Sequence, residues 1–287
     1  MTYYLLPKTN IFSFMYIDFI DDMEQPTNII SYSQTHYVYE LKERIELMEK
    51  DWDIFKKYTN PYEYIHTNIP LKNYCVASYN PLSRSYFKMV EILHTFKLHD
   101  MPRDIRSFHL AEGPGGFIEA LCNIRKNPRD MYYGMTIASD LNDPNVPGWK
   151  KTKNFLQQNK NIYLEYGSDN SGDILNIDNF VYVCEKYGSS MDIVTGDGGF
   201  DFSGDFNLQE ANISKLLFAQ VAFGLCLQKK GGSFILKIFD SFMQHTIDLL
   251  YILSSFYEKV YIMKPHTSRY ANSEKYIICK GFYHSSN

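Results

Sequence analysis

Lys88, Asp197, Lys237 and Glu274 carry most of the chemistry legible in this chain. Asp197 stands in MDIVTGDGGFD, Lys237 in GGSFILKIFD, Glu274 in TSRYANSEKYIICKGF and Lys88 in NPLSRSYFKMVEIL. The Lys88 segment precedes a glycine turn, AEGPGGF, from Ala111 to Phe117. A Gly-rich turn after a strand suits a nucleotide-like cofactor, because glycine lets the backbone turn tightly and approach a ligand closely. Two lysines and two carboxylates beside such a turn have the means to deprotonate an alcohol. The combination points to transfer of a group onto a hydroxyl. A sugar hydroxyl is a poor nucleophile until its proton is removed. A lysine removes it only if its own pKa falls well below the usual ~10.4. A second lysine and partial burial both act in that direction, whereas carboxylates oppose it and hold the ammonium groups in place. A single lysine is usually a surface ion-pair partner. That role is harder to sustain for Lys237 inside the apolar run SFILKIF, where a charge needs a partner or a task.

The elements that must position these residues alternate regularly from about residue 80. SYFKMVEILHTF reads as a helix, SFHLA as a short buried strand, and FIEALCNIRK as the helix opened by the glycine turn. YYGMTIASD, NIYLEYG, MDIVTGDGG and SFILKIF read as further strands, separated by the helical segments FVYVCEKYG and LQEANISKLLFAQVAFGLCLQ. After the helix HTIDLLYILSSFY, the strands KVYIMKP and KYIICKGF form most simply an antiparallel pair. Such alternation predicts an α/β fold, a mostly parallel sheet with helices on both faces. Asp197 and Lys237 then end neighbouring parallel strands, where open α/β sheets gather their ligands, and Glu274 lies on the same rim. In the turn, Gly113, Gly115 and Gly116 are spaced G-x-G-G. This differs from the G-x-G-x-x-G dinucleotide fingerprint and disfavours a nicotinamide dehydrogenase. Asp140, ending the second strand, is placed to bind a ribose hydroxyl, and Asp173, after the third, to accept from an adenine amino group. Either residue alone is more often a turn or capping residue. A metal cluster of Asp197, Asp201 and Asp205 is set aside because the neighbouring lysines would compete with a cation.

Residues 1–75 lack this alternation and are read as an N-terminal arm or small subdomain, with residues 76–287 forming the main domain. The arm contains one amphipathic segment, YELKERIELMEKDWDIFKKY, expected to be a helix with Leu41, Ile45, Met48 and Trp52 on one stripe. The 287 residues are 45% hydrophobic and 16% aromatic, with 24 Tyr and 20 Phe, ample for a large core. A net charge of −4 provides no global basic field, so RNA binding must come from a local basic groove and stacking rings. The five cysteines are scattered without a CxxC pair, which fits a reducing compartment and disfavours structural zinc. No signal peptide and no membrane-spanning run are read.

Taken together, SRSYFKMVEI, AEGPGGFIEAL, YYGMTIASD, SGDIL, VTGDGGFDFSGDFNLQE, GGSFILKIFD and KPHTSRYANSEKYIICKGF resemble the FtsJ/RrmJ-type 2′-O-methyltransferases. The likeness is greatest to the branch that modifies the mRNA cap, and it covers roughly residues 80–282. It implies a Rossmann-like class I methyltransferase fold with a seven-stranded, mostly parallel sheet whose last strand is antiparallel. It also implies S-adenosyl-L-methionine as cofactor and no metal. The tetrad would be Lys88, Asp197, Lys237 and Glu274, with Lys237 the general base, Lys88 the neighbour favouring its neutral form, and the two carboxylates orienting the lysines. Gly113, Pro114, Gly115, Gly116 and Phe117 would wrap the methionine end of the cofactor, with Asp140, Asp173, Ile174 and Asp197 completing its site. Arg84, Asn207, Gln209, Ser268 and Arg269 match substrate-contacting positions, Arg84 reaching a phosphate. The implied substrate is the 5′ end of capped mRNA, methylated on the ribose of its first transcribed nucleotide. The implied setting is intracellular, in nucleus or cytoplasm, or in a cytoplasmic factory or virion, since the lean, Tyr/Asn/Ile/Lys-rich chain would suit a viral enzyme. Two other readings are a 2′-O-methyltransferase of rRNA or tRNA and an inactive RNA-binding scaffold of the same fold.

Overall fold

The computed structural model describes residues 2–9, 29–138, 148–199 and 209–284. The strands among them are β1 (Thr2–Leu5), β2 (Arg106–Leu110), β3 (Met131–Met135), β4 (Ile162–Glu165), β5 (Met191–Gly196), β6 (Gln228–Ile238), β7 (Tyr257–Lys264) and β8 (Lys275–Phe282). They form one sheet in the order β1-β7-β8-β6-β5-β2-β3-β4. The helices are α1 (Tyr32–Glu43), α2 (Glu49–Tyr58), α3 (Ser85–Phe96), α4 (Gly116–Arg125), α5 (Lys153–Gln158), α6 (Ile177–Tyr187), α7 (Gln209–Asn212), α8 (Ser214–Leu227) and α9 (Gln244–Phe256).

Strands β4, β3, β2, β5 and β6 are mutually parallel, and β8 runs antiparallel to both β6 and β7. The seven expected strands are therefore present, with the last one antiparallel. An eighth comes from the arm: Thr2–Leu5 pairs antiparallel with Tyr261–Lys264 on β7. TYYL is too short to show a period, and its partner lies at the far end of the chain, so local pattern gave no sign of it.

Both sheet faces are covered, which is why the central strands read as continuous apolar runs. Successive residues of a strand point to opposite faces. Val194, Phe234 and Leu236 thus pack in one core with Leu217, Val221 and Phe223 of α8 and Leu253 of α9. Ile193 and Ile235 pack in the other with Met89, Ile92 and Leu93 of α3 and Phe117 and Leu121 of α4. The chain leaves β2 towards β3 and β4, then returns to place β5 on the opposite side of β2. The carboxyl ends of β2 and β5 diverge there, and such a switch point opens a crevice.

The single helix expected over residues 39–58 is instead the end of α1 and the whole of α2, joined through a 3₁₀ turn at Glu46–Met48. Its apolar stripe does not enter the core. Leu41 and Met48 are exposed, and Ile45 and Trp52 line a cleft against the β7–β8 loop. The helical period was legible, but it reports a partly wetted face turned toward a groove.

Candidate active site

The tetrad residues lie at the crevice on four separate elements. Asp197 follows β5, Lys237 is on β6, Lys88 is on α3, and Glu274 immediately precedes β8. They form two ion pairs. Lys237 Nζ donates to the Asp197 backbone oxygen at 2.7 Å and lies 3.3 Å from Asp197 Oδ1. Lys88 Nζ lies between both oxygens of Glu274, at 2.8 and 2.9 Å. Each of these side chains is only about a tenth exposed: Lys88 13%, Glu274 8%, Lys237 11% and Asp197 12%. Burial opposes ionisation of Glu274, but the Lys88 and Lys237 charges, with hydrogen bonds from Lys88 and Ser268, pull its carboxyl down to about 2. The carboxylate is therefore an anion at neutral pH.

Tyr276 joins the two pairs. It sits opposite Lys237 in the β6–β8 register, its ring is fully buried, and its hydroxyl donates to Asp197 Oδ1 at 2.9 Å. Lys88 Nζ lies 5.9 Å from the centre of that ring, within cation–π range. Burial, together with the Asp197 and Glu274 charges, raises the phenol well above its usual range and keeps it a donor. The pattern TSR-x-ANSE-x-Y contained this tyrosine, but pattern alone assigned it no task. Gly199 leaves the opposite side open, since a β-carbon there would come within 3.1 Å of Lys237 Nζ.

The glycine turn joins β2 to α4. Gly115 has φ of 107°, and a β-carbon there would meet Trp149 at 3.3 Å. At Gly113 it would press on the Gly148 backbone oxygen at 2.6 Å, and at Gly116 on the Ser83 and Ser85 hydroxyls at 2.3 Å. These glycines admit neighbouring protein, and that packing fixes the turn. Pro114 accepts from the Thr152 hydroxyl at 3.1 Å, and Phe117 is buried with its ring 5.9 Å from that of Tyr276. Beneath the turn, burial pulls the His109 imidazole down to about 3, leaving a neutral ring bridging Ser107 and Thr195 at 2.8 Å each. Burial raises the Glu112 carboxyl well above its ordinary range, despite a hydrogen bond from the Phe117 amide, and the Asp197 charge adds to the rise. Glu112 Oε2 is buried and has no hydrogen-bond partner among the described residues. That oxygen lies 3.7 Å from His109 Nδ1, and a cationic ligand arriving beside Asp197 and Glu112 would favour the ionised form of the Glu112 carboxyl.

On the far side of the turn, the loop after β4 reaches back to the end of β3, with the Ala138 amide donating to Ser171 at 2.6 Å. Asn179 holds this loop through Asp169, Ser171 and the Asp173 backbone oxygen. Asp173 Oδ1 accepts from the Leu175 amide at 2.8 Å, and Ile174 is buried in the core. Asp140, Asp201, Asp205 and Asn207 lie outside the described residues.

The remaining substrate candidates are engaged within the protein. Ser268 is fully buried and donates to Glu274 Oε1 at 2.7 Å. Gln209 accepts from the Ser273 hydroxyl at 3.1 Å. Arg84 and Arg269 both contact Glu63, a wholly buried arm residue that the sequence reading did not single out. Burial works against ionisation there too, yet Arg269, Asn60, Thr67 and Arg84 pull the Glu63 carboxyl down to about 2. Beside this cluster, Lys42, Ile45, Trp52, Lys56, Gln209 and Arg269 line a cleft of about 170 Å³. It lies between the arm helices and the loop that carries Glu274.

The sheet order, the crevice at the switch point and the ligands it fits define a Rossmann-like α/β protein of the kind that binds a nucleotide cofactor. The chain belongs to the FtsJ-like methyltransferase family, which it matches over residues 81–282. It is 35% identical to the cap-specific mRNA (nucleoside-2′-O-)-methyltransferase 2 of Danio rerio, over 69% of this chain and 28% of that protein. It is 32% identical to its Drosophila melanogaster counterpart, over 74% and 31%. With the cap-specific mRNA (nucleoside-2′-O-)-methyltransferase 1 of Dictyostelium discoideum it shares 32% identity, over 80% and 32%. The matched region is thus less than a third of each relative's length. Among solved structures, a putative ribosomal RNA methyltransferase from Plasmodium falciparum superposes with a TM-score of 0.50 at 20% identity, over 70% of this chain and 98% of the other. At that identity the likeness concerns the fold.

Proposed function

We propose that this protein transfers a methyl group from S-adenosyl-L-methionine to the ribose 2′-hydroxyl of the first transcribed nucleotide of capped mRNA. The observation that carries this reading is the pairing of Lys237 with Asp197 and of Lys88 with Glu274 around one buried tyrosine at the sheet's switch point. The relatives named above are cap-specific mRNA 2′-O-methyltransferases, which favours the cap over rRNA or tRNA.

The bound cofactor would supply an electrophilic methyl group. Glu112 and Asp197 would face its positive charges, the turn from Gly113 to Phe117 its methionine end, and the loop carrying Asp173 and Ile174 its adenine side. In its neutral amine form, Lys237 Nζ would receive the proton of the 2′-hydroxyl as the methyl group passes to that oxygen and its bond to the donor sulfur breaks. Asp197 aims Lys237 and is itself aimed by Tyr276. Lys88, held by Glu274, contributes the second positive charge. Residues 1–75 act as an arm that completes the substrate side, because the cleft has walls from both arm and main domain. Its indole and three cations suit a stacked base with an attached phosphate chain.

Radiolabelled methyl transfer tests this reading on capped RNA, uncapped RNA, and capped RNA already 2′-O-methylated at its first nucleotide. Label is expected in the first substrate alone. Equal transfer to uncapped RNA supports the rRNA or tRNA alternative, and cofactor binding without any transfer supports the inactive scaffold. Trp52→Ala is expected to raise KM for capped RNA about 5- to 150-fold, in line with ~1–3 kcal/mol per stacked base. An unchanged KM removes the cleft from cap recognition.

A further inference from the structure

We infer that Glu63 is a positioning residue that, with Arg84 and Arg269, clamps the Glu274-bearing loop onto α3 and so sets the Lys88–Glu274 contact. This rests on the activity proposed above.

Arg84, Lys88 and Glu91 recur at helical spacing and share one face of α3, with Arg84 at its N-terminal cap. All three meet the loop of residues 265–274. Glu91 accepts from the His266 and Thr267 amides at 2.8 and 3.1 Å, and Lys88 binds Glu274. Arg84 reaches the Thr267 backbone oxygen only at 3.5 Å. Its main connection runs through Glu63, whose Oε2 lies 3.1 Å from Arg84 Nη1 and 3.0 Å from Arg269 Nε. Oε1 receives Arg269 Nη2 at 2.7 Å. Asn60 and Thr67 fill the remaining acceptor sites at 3.0 and 2.8 Å. One carboxylate thus saturates its hydrogen bonds while neutralising two guanidinium groups from different elements. Without it, Arg84 and Arg269 repel each other across the junction that holds Glu274 against Lys88. Arg84 is drawn inward onto this anion, so its placement differs from that of an exposed phosphate ligand, whereas Arg269 keeps one side on the cleft.

The variants are Glu63→Gln, Arg84→Gln and the double substitution; Arg84→Gln keeps the Glu63–Arg269 pair and the fold if Glu63→Gln is unstable. Single-turnover methylation of a short capped RNA is measured against RNA concentration and salt, with cofactor affinity in parallel. Each single variant is expected to lose about 10- to 100-fold in kcat, the scale of a small displacement in an active site. KM for RNA and cofactor affinity should each change less than about threefold. The double variant should be no worse than the poorer single one, because the side chains act as a unit. Hydrogen exchange in residues 265–274 should quicken in each variant while α8 is unaffected. That readout survives even if the wild-type protein transfers no methyl group, which would instead count against the proposed function. Unchanged exchange and kcat overturn the clamp. So does a raised KM with a salt slope smaller by about one, which would make Arg84 a phosphate ligand.

Discussion

Lys237 and Lys88 carry the same charge but are assigned different tasks, and substitution separates them. Arginine cannot give up its proton near neutral pH, whereas lysine can. Lys237→Arg and Lys237→Ala are therefore both expected to lose methyl transfer by roughly 10²- to 10⁴-fold or more, the scale of general-base loss plus mispositioning. Cofactor affinity should hold, because the task proposed for Lys237 is at the acceptor hydroxyl. Lys88→Arg should be milder, since it keeps the positive charge beside Glu274. Single-turnover rates with parallel calorimetry check this, and substantial activity in Lys237→Arg leaves Lys237 only an electrostatic role. Glu274 gives a second residue-scale expectation. Its carboxyl lies near 2 in the folded protein, below the ordinary ~4.3 of an unfolded glutamate. Its ionisation therefore contributes stability that is fully present above the unfolded value and lost as pH falls through the folded one. In Glu274→Gln, stability at pH 7 should drop and its decline between about pH 5 and pH 2 should flatten. Urea melts across that range decide it; an unaltered slope denies the linkage, although Glu63 still contributes its own.

At the scale of elements, the turn between β2 and α4 is the feature most sensitive to one added carbon. Gly115 caps α4 at φ 107°, where an L side chain is strained, and a β-carbon there lies 3.3 Å from Trp149. Gly115→Ala is expected to cost about 1–2 kcal/mol of stability through the left-handed conformation. It should also weaken cofactor binding by shifting the turn. A chemical melt together with calorimetry measures both, and a variant matching the parent in stability contradicts this account. The glycine spacing was readable in the chain, and so was the strand-to-helix context. Which atoms the missing side chains make room for was not, because Gly148, Trp149, Ser83 and Ser85 come from segments before and after the turn. Likewise, Lys237 in SFILKIF announced a buried charge, yet its contact with the Asp197 backbone oxygen depends on the register of β5 against β6.

For the molecule as a whole, residues before position 76 are joined to the rest of the chain at several separate points. β1 extends the sheet, with Tyr3 edge-on to Phe96 and Tyr261 at 5.2 and 5.8 Å. Lys8 donates to the Tyr257 backbone oxygen, Lys42 pairs with Asp240 at 2.8 Å, and Glu63 holds the two arginines. Removing residues 1–9 should strip the cover from β7 and forfeit two aromatic pairs of about 0.5–1.5 kcal/mol each. A lower melting temperature and concentration-dependent association through the bared edge are expected. Calorimetry and light scattering check this; identical behaviour of the truncated chain makes β1 dispensable. The sequence alone determined the α/β alternation from residue 80 onward, the strand ends that carry Asp197 and Lys237, and the resemblance that groups them with Lys88 and Glu274. Those features are local, written in periods of two and 3.6 residues and in short motifs. That TYYL is a strand, that a split amphipathic segment lines a cleft, that Tyr276 meets Asp197 and that Glu63 meets Arg84 and Arg269 emerged from the folded arrangement. Each depends on contacts between residues distant in the chain, and a buried tyrosine or glutamate looks the same in sequence whatever lies opposite it.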